Sequence, residues 1–293
     1  MGGRAAIETW AMTTHSNGTR GKVKHLLGTA RDEAPLRLAD IDCSDTHGVH
    51  RHHALEELAS SQERLLELQT RLFAEGTRSL LIVLQGMDTS GKDGTVNHVI
   101  SHFNPGGFTI TNFKVPTAEE ARHGFLWRIR RALPRSGHVA IFNRSHYEDV
   151  LITRVKNLVP SDVIERRYAE INAFESELIE SGTAIVKICL HISYEEQRVR
   201  LLERLDDPAK RWKFSTHDLI ERGHWDEYQV AYELAITRCS PKVPWYVVPA
   251  NEKWFRDWAV TQIVTEALEE IDPRYPAPVL DIKALRAQLQ PVG

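Results

Sequence analysis

The chain has 293 residues, 42% of them apolar and 26% charged, with a formal net charge of −3. That is enough chain for a sizeable core in one large domain with an attached arm, and the slight acidity argues against wholesale nucleic-acid binding, so any polyanion site must come from local clustering. No apolar run approaches the length of a membrane span, the N-terminal region lacks an apolar signal core, and three widely spaced cysteines, Cys43, Cys189 and Cys239, suggest reduced thiols in a cytoplasmic protein.

Residues 1–35 mix Gly, Thr, Ser, Asn, Arg and Lys without a helical or strand period and predict a loose N-terminal arm, within which Met12 is an alternative start. Cys43 with His47, His50, His52 and His53 invites a zinc reading. One cysteine and crowded histidines lack the paired spacing of a structural site, however, and a polar loop leading into a helix fits as well. That helix puts Leu55, Leu58, Leu65, Leu68 and Leu72 on one face, carries Glu63, Glu67 and Arg71 at i, i+4 steps, and stops at Gly76.

The next stretch organises the chain. The apolar run from Leu80 to Leu84 reads as a strand buried on both faces. The following Gly86-Met87-Asp88-Thr89-Ser90-Gly91-Lys92-Asp93-Gly94 has the glycine spacing and the lysine of a phosphate cradle. Gly86, Gly91 and Gly94 let the backbone turn and aim N–H groups at an anion. The helix that follows offers its N-terminus, and Lys92 adds a mobile positive charge. The P-loop pattern fails only at its last position, where Asp93 replaces the Ser or Thr that usually holds magnesium. Asp88, inside the loop, is the nearest carboxylate able to replace that hydroxyl.

Residues 108–114 alternate well enough for a second strand, with Lys114 at the C-terminal end, where open α/β sheets bind ligands. Residues 119–133 predict a helix carrying Phe125, Leu126, Ile129 and Leu133, and Val139 to Phe142 a third strand. Between Gly94 and Tyr147 stand seven basic residues, Lys114, Arg122, Arg128, Arg130, Arg131, Arg135 and Arg144, against Glu119 and Glu120. They form either a local anion-binding surface or a solvated basic helix face. The third strand ends in Asn143-Arg144-Ser145-His146-Tyr147-Glu148-Asp149, where Arg144 suits a bidentate clamp on phosphate oxygens and Asp149 or Glu148 suits magnesium. Asp162 with Glu165 is expected to cap the next helix, whose Ile164, Tyr168, Ile171, Phe174 and Leu178 face inward, and Ala184 to Ile192 is a fourth strand.

Ser193 and Glu196 form a capping box opening a helix with Arg198, Arg200 and Arg204, which runs into the basic-aromatic stretch Asp206 to Phe214. Such an element, over about residues 194–218, is what a kinase lid needs, because positive charge closing over a moving phosphoryl group neutralises it and excludes water. A salt-bridged surface helix is the plainer alternative. A second box, Ser215 to Asp218, opens a helix bearing Trp225, Tyr228 and Tyr232, read as core. Trp245 to Pro249 is a fifth strand, a helix to Ile271 covers it, and Pro273, Pro276 and Pro278 lead to a peripheral tail, 277–293. The order predicts a doubly wound α/β domain over 36–276 with a parallel five-stranded sheet.

Together, the segments Gly86–Gly94, Asn143–Asp149 and Asp206–Ser215 resemble the signatures of the polyphosphate kinase 2 family, over roughly residues 36–276. The likeness is greatest to the branch that accepts both nucleoside mono- and diphosphates. The resemblance implies a thymidylate-kinase-like P-loop kinase fold, magnesium, inorganic polyphosphate as phosphoryl donor or acceptor, and AMP, ADP, GDP or ATP as the other substrate. It also implies a homo-oligomer, a dimer or tetramer, with neither nucleic acid nor membrane as partner. The implied catalytic set is Asp88, Lys92, Arg144, Asp149 and Arg204, with Asp88 and Asp149 holding the metal. Phosphate and nucleotide contacts fall to Gly86, Ser90, Gly91, Asp93, Gly94, Lys114, Asn143, Arg154, Arg200, Lys210 and Lys213. His146, where many relatives carry an aromatic residue, and the arm before residue 36 depart from the family pattern. On the residues alone, an ATP-using nucleoside kinase and a P-loop binding protein without turnover stay open, although a passive binder has no use for arginines that meet only a moving phosphoryl group.

Overall fold

The computed structural model describes residues 36–289 together with Val23 and Leu27. Met12 and most of the arm lie outside the described residues. Val23 and Leu27 are buried and belong to the same apolar cluster as Leu65 and Val264.

Five strands, β1 (Ser79–Gly86), β2 (Phe108–Asn112), β3 (Val139–Asn143), β4 (Thr183–His191) and β5 (Trp245–Pro249), pair in parallel, as the sequence predicts, and stand in the order β2-β3-β1-β4-β5. Every residue of β1 is buried. Because successive side chains of a strand point to opposite faces, Leu80, Ile82 and Leu84 enter one apolar cluster while Leu81 and Val83 enter the other. The first cluster takes in side chains of α1 (Arg51–Glu75), α2 (Lys92–Ile100) and α9 (Lys253–Ile271). The second takes in those of α5 (Ser161–Glu180) and α8 (Trp225–Arg238). The strands that follow β1 in sequence fall on either side of it, so the order reverses there and a crevice opens at its C-terminal end.

Local departures from expectation have local causes. The helix predicted over 119–133 is a 3-10 turn, Glu120–Arg122, and a short α3, Trp127–Arg131. Thr117 and Glu120 cap each other's backbone, closing a separate turn before Gly124. α5 starts after Pro160 with no side-chain cap, and Asp162 instead pairs with Arg166 one turn on. The Ser215–Asp218 box is complete but opens only α7 (Thr216–Arg222), Gly223 separating it from α8. On α1, Leu55 sits about a quarter turn off the buried face, which Ala54 and Leu58 share, and is exposed. The tail carries a short helix, α10 (Ile282–Gln288), exposed along its length. Among the described residues no helix is long and apolar enough to cross a membrane.

Candidate active site

The loop after β1 is built by backbone constraint. Gly86 and Gly91 have φ of 149° and 102°, and a Cβ on Gly91 would lie 1.9 Å from the Arg256 guanidinium, one on Gly86 2.6 Å from the Leu190 carbonyl. Only glycine fits. Gly94, by contrast, lies inside α2 and makes no turn. Lys92 Nζ donates to the carbonyls of Gly86 (2.6 Å) and Met87 (3.0 Å). The hydroxyls of Thr89, Ser90 and Thr95 are buried without a hydrogen-bond partner. Unpaired buried hydroxyls in a glycine-lined turn at a helix N-terminus are donors placed for an anion.

Arg144 reaches this loop from the end of β3. Its backbone is left-handed (φ 62°), with its N–H bonded to the Leu84 carbonyl, a strained state of the kind that clusters at functional sites. The guanidinium lies 2.6 Å from Asp88 Oδ1 and 3.9 Å from Glu148, whose other contact is Gln85 Nε2 at 2.9 Å. From the opposite side, α6 (Tyr194–Asp206) brings Gln197, which donates to the Asp88 carbonyl (3.1 Å), and Arg204, 3.5 Å from Asp218. Burial alone would raise the Asp88 pKa, but Lys92, Arg144 and Arg204 hold it below the usual carboxylate value. Lys92 goes the other way. Burial, reinforced by Arg144, lowers it to about 8 against the pull of Asp88, Glu148 and Asp93. Burial works against the Arg144 charge too, yet Glu148 and Asp88 outweigh it and its pKa is raised.

The structure therefore brings together Asp88, Lys92, Arg144 and Arg204, and it corrects five other assignments. Asp149 faces Arg167 (3.4 Å) and Arg128 (4.0 Å) instead of the loop. It lies on the 3-10 turn His146–Asp149, where adjacent residues point about a third of a turn apart, so Glu148 takes the inward position. That turn is anchored from below: Tyr147 donates to Glu175 (2.7 Å), which Lys187 also holds (2.7 Å), and His146 sits fully buried edge-on to Phe174, in an aromatic's place. Asp93 spends its carboxylate on Asn143 Nδ2 (2.7 Å), so both residues join α2 to β3 and only the Asp93 backbone can face phosphate. Arg200 is buried under the loop with all its contacts to protein. Arg154 pairs with Glu165 on α5 (3.7 Å). Lys114, Lys210 and Lys213 are exposed, Lys210 against Asp207 and Lys213 over Trp212.

Residues that the sequence did not reveal are Gln85, Gln197, Arg256 behind Gly91, and Tyr232, a buried phenol whose surroundings include Glu148 and Arg144. Among the described residues no group of three or more His, Cys, Asp or Glu is arranged to hold a metal. Magnesium asks for less: it keeps its waters and binds through one or two carboxylates plus substrate phosphates. Asp88 and Glu148, converging on Arg144 beside the unpaired hydroxyls, fit that demand.

The family model described as polyphosphate kinase 2 matches residues 48–276. The AMP/ADP-polyphosphate phosphotransferase of Meiothermus ruber is 50% identical over 244 residues, covering 83% of this chain and 91% of that protein. The ADP-polyphosphate phosphotransferase of Rhodopseudomonas palustris is 42% identical over 239 residues, covering 77% and 83%. The crystal structure of polyphosphate kinase 2 from Arthrobacter aurescens superposes with a TM-score of 0.88 at 45% identity, over 91% of this chain and 96% of that one.

Proposed function

The chain belongs to the polyphosphate kinase 2 family, and we propose that its reaction, phosphoryl transfer between inorganic polyphosphate and nucleotides, runs at the Asp88–Lys92–Arg144 cluster with magnesium. The observation that carries the proposal is the 2.6 Å pairing of Arg144 with Asp88 beside a buried lysine and three unpaired hydroxyls. Phosphoryl transfer needs little covalent chemistry from a protein; two anionic substrates must be held in line while cations absorb the charge that moves. Lys92, Arg144 and Arg204 would grip the oxygens of the transferred group, while Asp88 keeps Arg144 aimed. A phosphate acceptor is already ionised at neutral pH, so no general base is required. Magnesium, held by Asp88 and Glu148, would supply further neutralisation of phosphate charge. Both ADP and AMP are proposed as acceptors, with a homo-oligomeric assembly in a cytoplasmic setting; sedimentation reads the assembly.

The test is incubation of the pure protein with magnesium, polyphosphate and each of AMP, ADP and GDP, followed by separation of the nucleotides. ATP from ADP is expected, and no product with any acceptor would sink the proposal. Polyphosphate would track the exposed Lys114, Arg122, Arg131 and Arg135, Arg128 and Arg130 being taken up by protein contacts, and its apparent affinity should drop steeply between low and physiological salt. A compact nucleotide neutralises fewer charges and should weaken less. Equal salt slopes for the two substrates would instead favour an ATP-using kinase with a short basic groove.

Arg204 gives a third expected result. In this structure its partner is Asp218, at the edge of contact. If lid closure swings Arg204 onto the phosphoryl group as it moves, Arg204→Ala lowers kcat far more than it raises either KM. A raised KM with kcat intact would make α6 a static wall of the groove.

A further inference from the structure

We propose that Arg200 is a positioning residue for this reaction: it holds the phosphate loop in its binding shape by fixing the carbonyls of Thr89 and Ser90, and it never meets the moving phosphoryl group. This rests on the reading of that loop as the phosphate cradle.

Arg200 is 6% exposed, and a guanidinium has five N–H donors. Here all five are used within the protein. Nε bonds Glu196 (2.7 Å), Nη1 bonds the carbonyls of Thr89 (3.0 Å) and Ser90 (3.1 Å), and Nη2 bonds those of Ala250 (2.6 Å) and Asn251 (2.9 Å). None is left for phosphate. The planar fork thus bridges the phosphate loop to the turn after β5, and its own helix α6 to both.

The loop needs such a clamp because of Thr89. Its φ is 66°, a left-handed state that a β-branched residue resists and that persists only where the surroundings over-determine it. Relaxing Thr89 toward the extended region would swing its carbonyl off Arg200. The Ser90 carbonyl is held by the same nitrogen, and in a trans peptide the following N–H, that of Gly91, points away from Arg200. Fixing the Ser90 carbonyl therefore fixes the direction of the Gly91 N–H, and fixing the Thr89 carbonyl holds the Ser90 N–H on the Met87 carbonyl (3.0 Å), which closes the turn. With Arg200 under the loop and Gln197 bonded to the Asp88 carbonyl, the first turns of α6 belong to the static site, and any lid movement begins beyond them, at Arg204.

The experiment compares wild type, Arg200→Lys, Thr89→Gly and the double variant, with ADP and polyphosphate varied separately and melting followed alongside. Lysine keeps the charge opposite Glu196 but cannot span four carbonyls. Arg200→Lys should raise KM for both substrates and lower kcat/KM by about tenfold to a hundredfold. Glycine tolerates the left-handed backbone, so in the Thr89→Gly background the same change should cost less than about threefold. Equal losses in both backgrounds overturn the proposal. So does a fall in kcat alone, which would put Arg200 on the phosphoryl group, or a lower melting temperature with unchanged kinetics. If Arg200→Lys does not fold, Glu196→Ala, which removes only the partner of Nε, takes its place with the same expected rescue and the same overturning outcome. Direct binding of tripolyphosphate to the four proteins should follow the same pattern even if wild type leaves ADP unconverted, which separates failure of this inference from failure of the functional reading.

Discussion

Lys92→Met is expected to lower turnover by at least about a hundredfold, since one charged donor to the reacting group is commonly worth about 3 kcal/mol, and to do so without loss of stability. The second half follows from burial. Burial lowers the Lys92 pKa to about 8, from the 10.5 of a free lysine, so below pH 8 the ammonium is carried into the folded state at a cost on the order of 3 kcal/mol. Methionine keeps the length and removes the charge. As pH rises from about 8 to 10.5 the folded state sheds this proton before the unfolded state does. Wild-type stability therefore gains relative to Lys92→Met across that window, and the melting temperatures converge. A phosphate beside Lys92 reverses the shift, so above pH 8 wild type should take up a proton as polyphosphate binds, read as a pH-dependent binding heat in buffers of different ionisation enthalpy. Activity retained in Lys92→Met would sink the P-loop assignment. A melting temperature lowered by many degrees would refute the claim that this lysine is kept for function at the expense of stability.

What was legible in the sequence is what short-range geometry decides. The run Leu80–Leu84 could only be buried on both faces, and Gly86, Gly91 and Lys92 form a site because backbone torsions and a helix N-terminus within one short segment suffice. What escaped depends on rotation or on distant chain. Glu148 and Asp149 are neighbours of like chemistry, and only the 3-10 pitch of their turn decides which one faces Arg144. Arg200 and Arg204 share a helix face, yet one lies against the loop and the other pairs with Asp218. Arg256 fills the space beside Gly91 from the far end of the domain, and no local pattern announces it. Tyr228 and Tyr232 have the helical spacing of core residues; Tyr232 is indeed buried, but among the site's charges.

Asp88→Asn is the other change with a large expected effect, a loss of turnover of at least about a hundredfold together with a magnesium requirement shifted to higher concentration. Asparagine preserves the shape and removes the one anion that faces Arg144 at 2.6 Å and balances Lys92 and Arg204. Two consequences separate this role from a merely structural one. The Asp88 charge helps keep Lys92 protonated, so its loss should push the Lys92 pKa lower still and move the alkaline fall in substrate affinity to lower pH. The carboxylates on the 3-10 turn should then sort by direction. Glu148→Gln, next to Arg144 and Gln85, should also weaken the magnesium response. Asp149→Asn should leave it intact, because that carboxylate faces Arg167 and Arg128 and not the loop. Magnesium titrations of turnover on the three variants decide between them: an unchanged titration in Asp88→Asn would refute its hold on the metal, and a shifted one in Asp149→Asn would return that residue to the metal site.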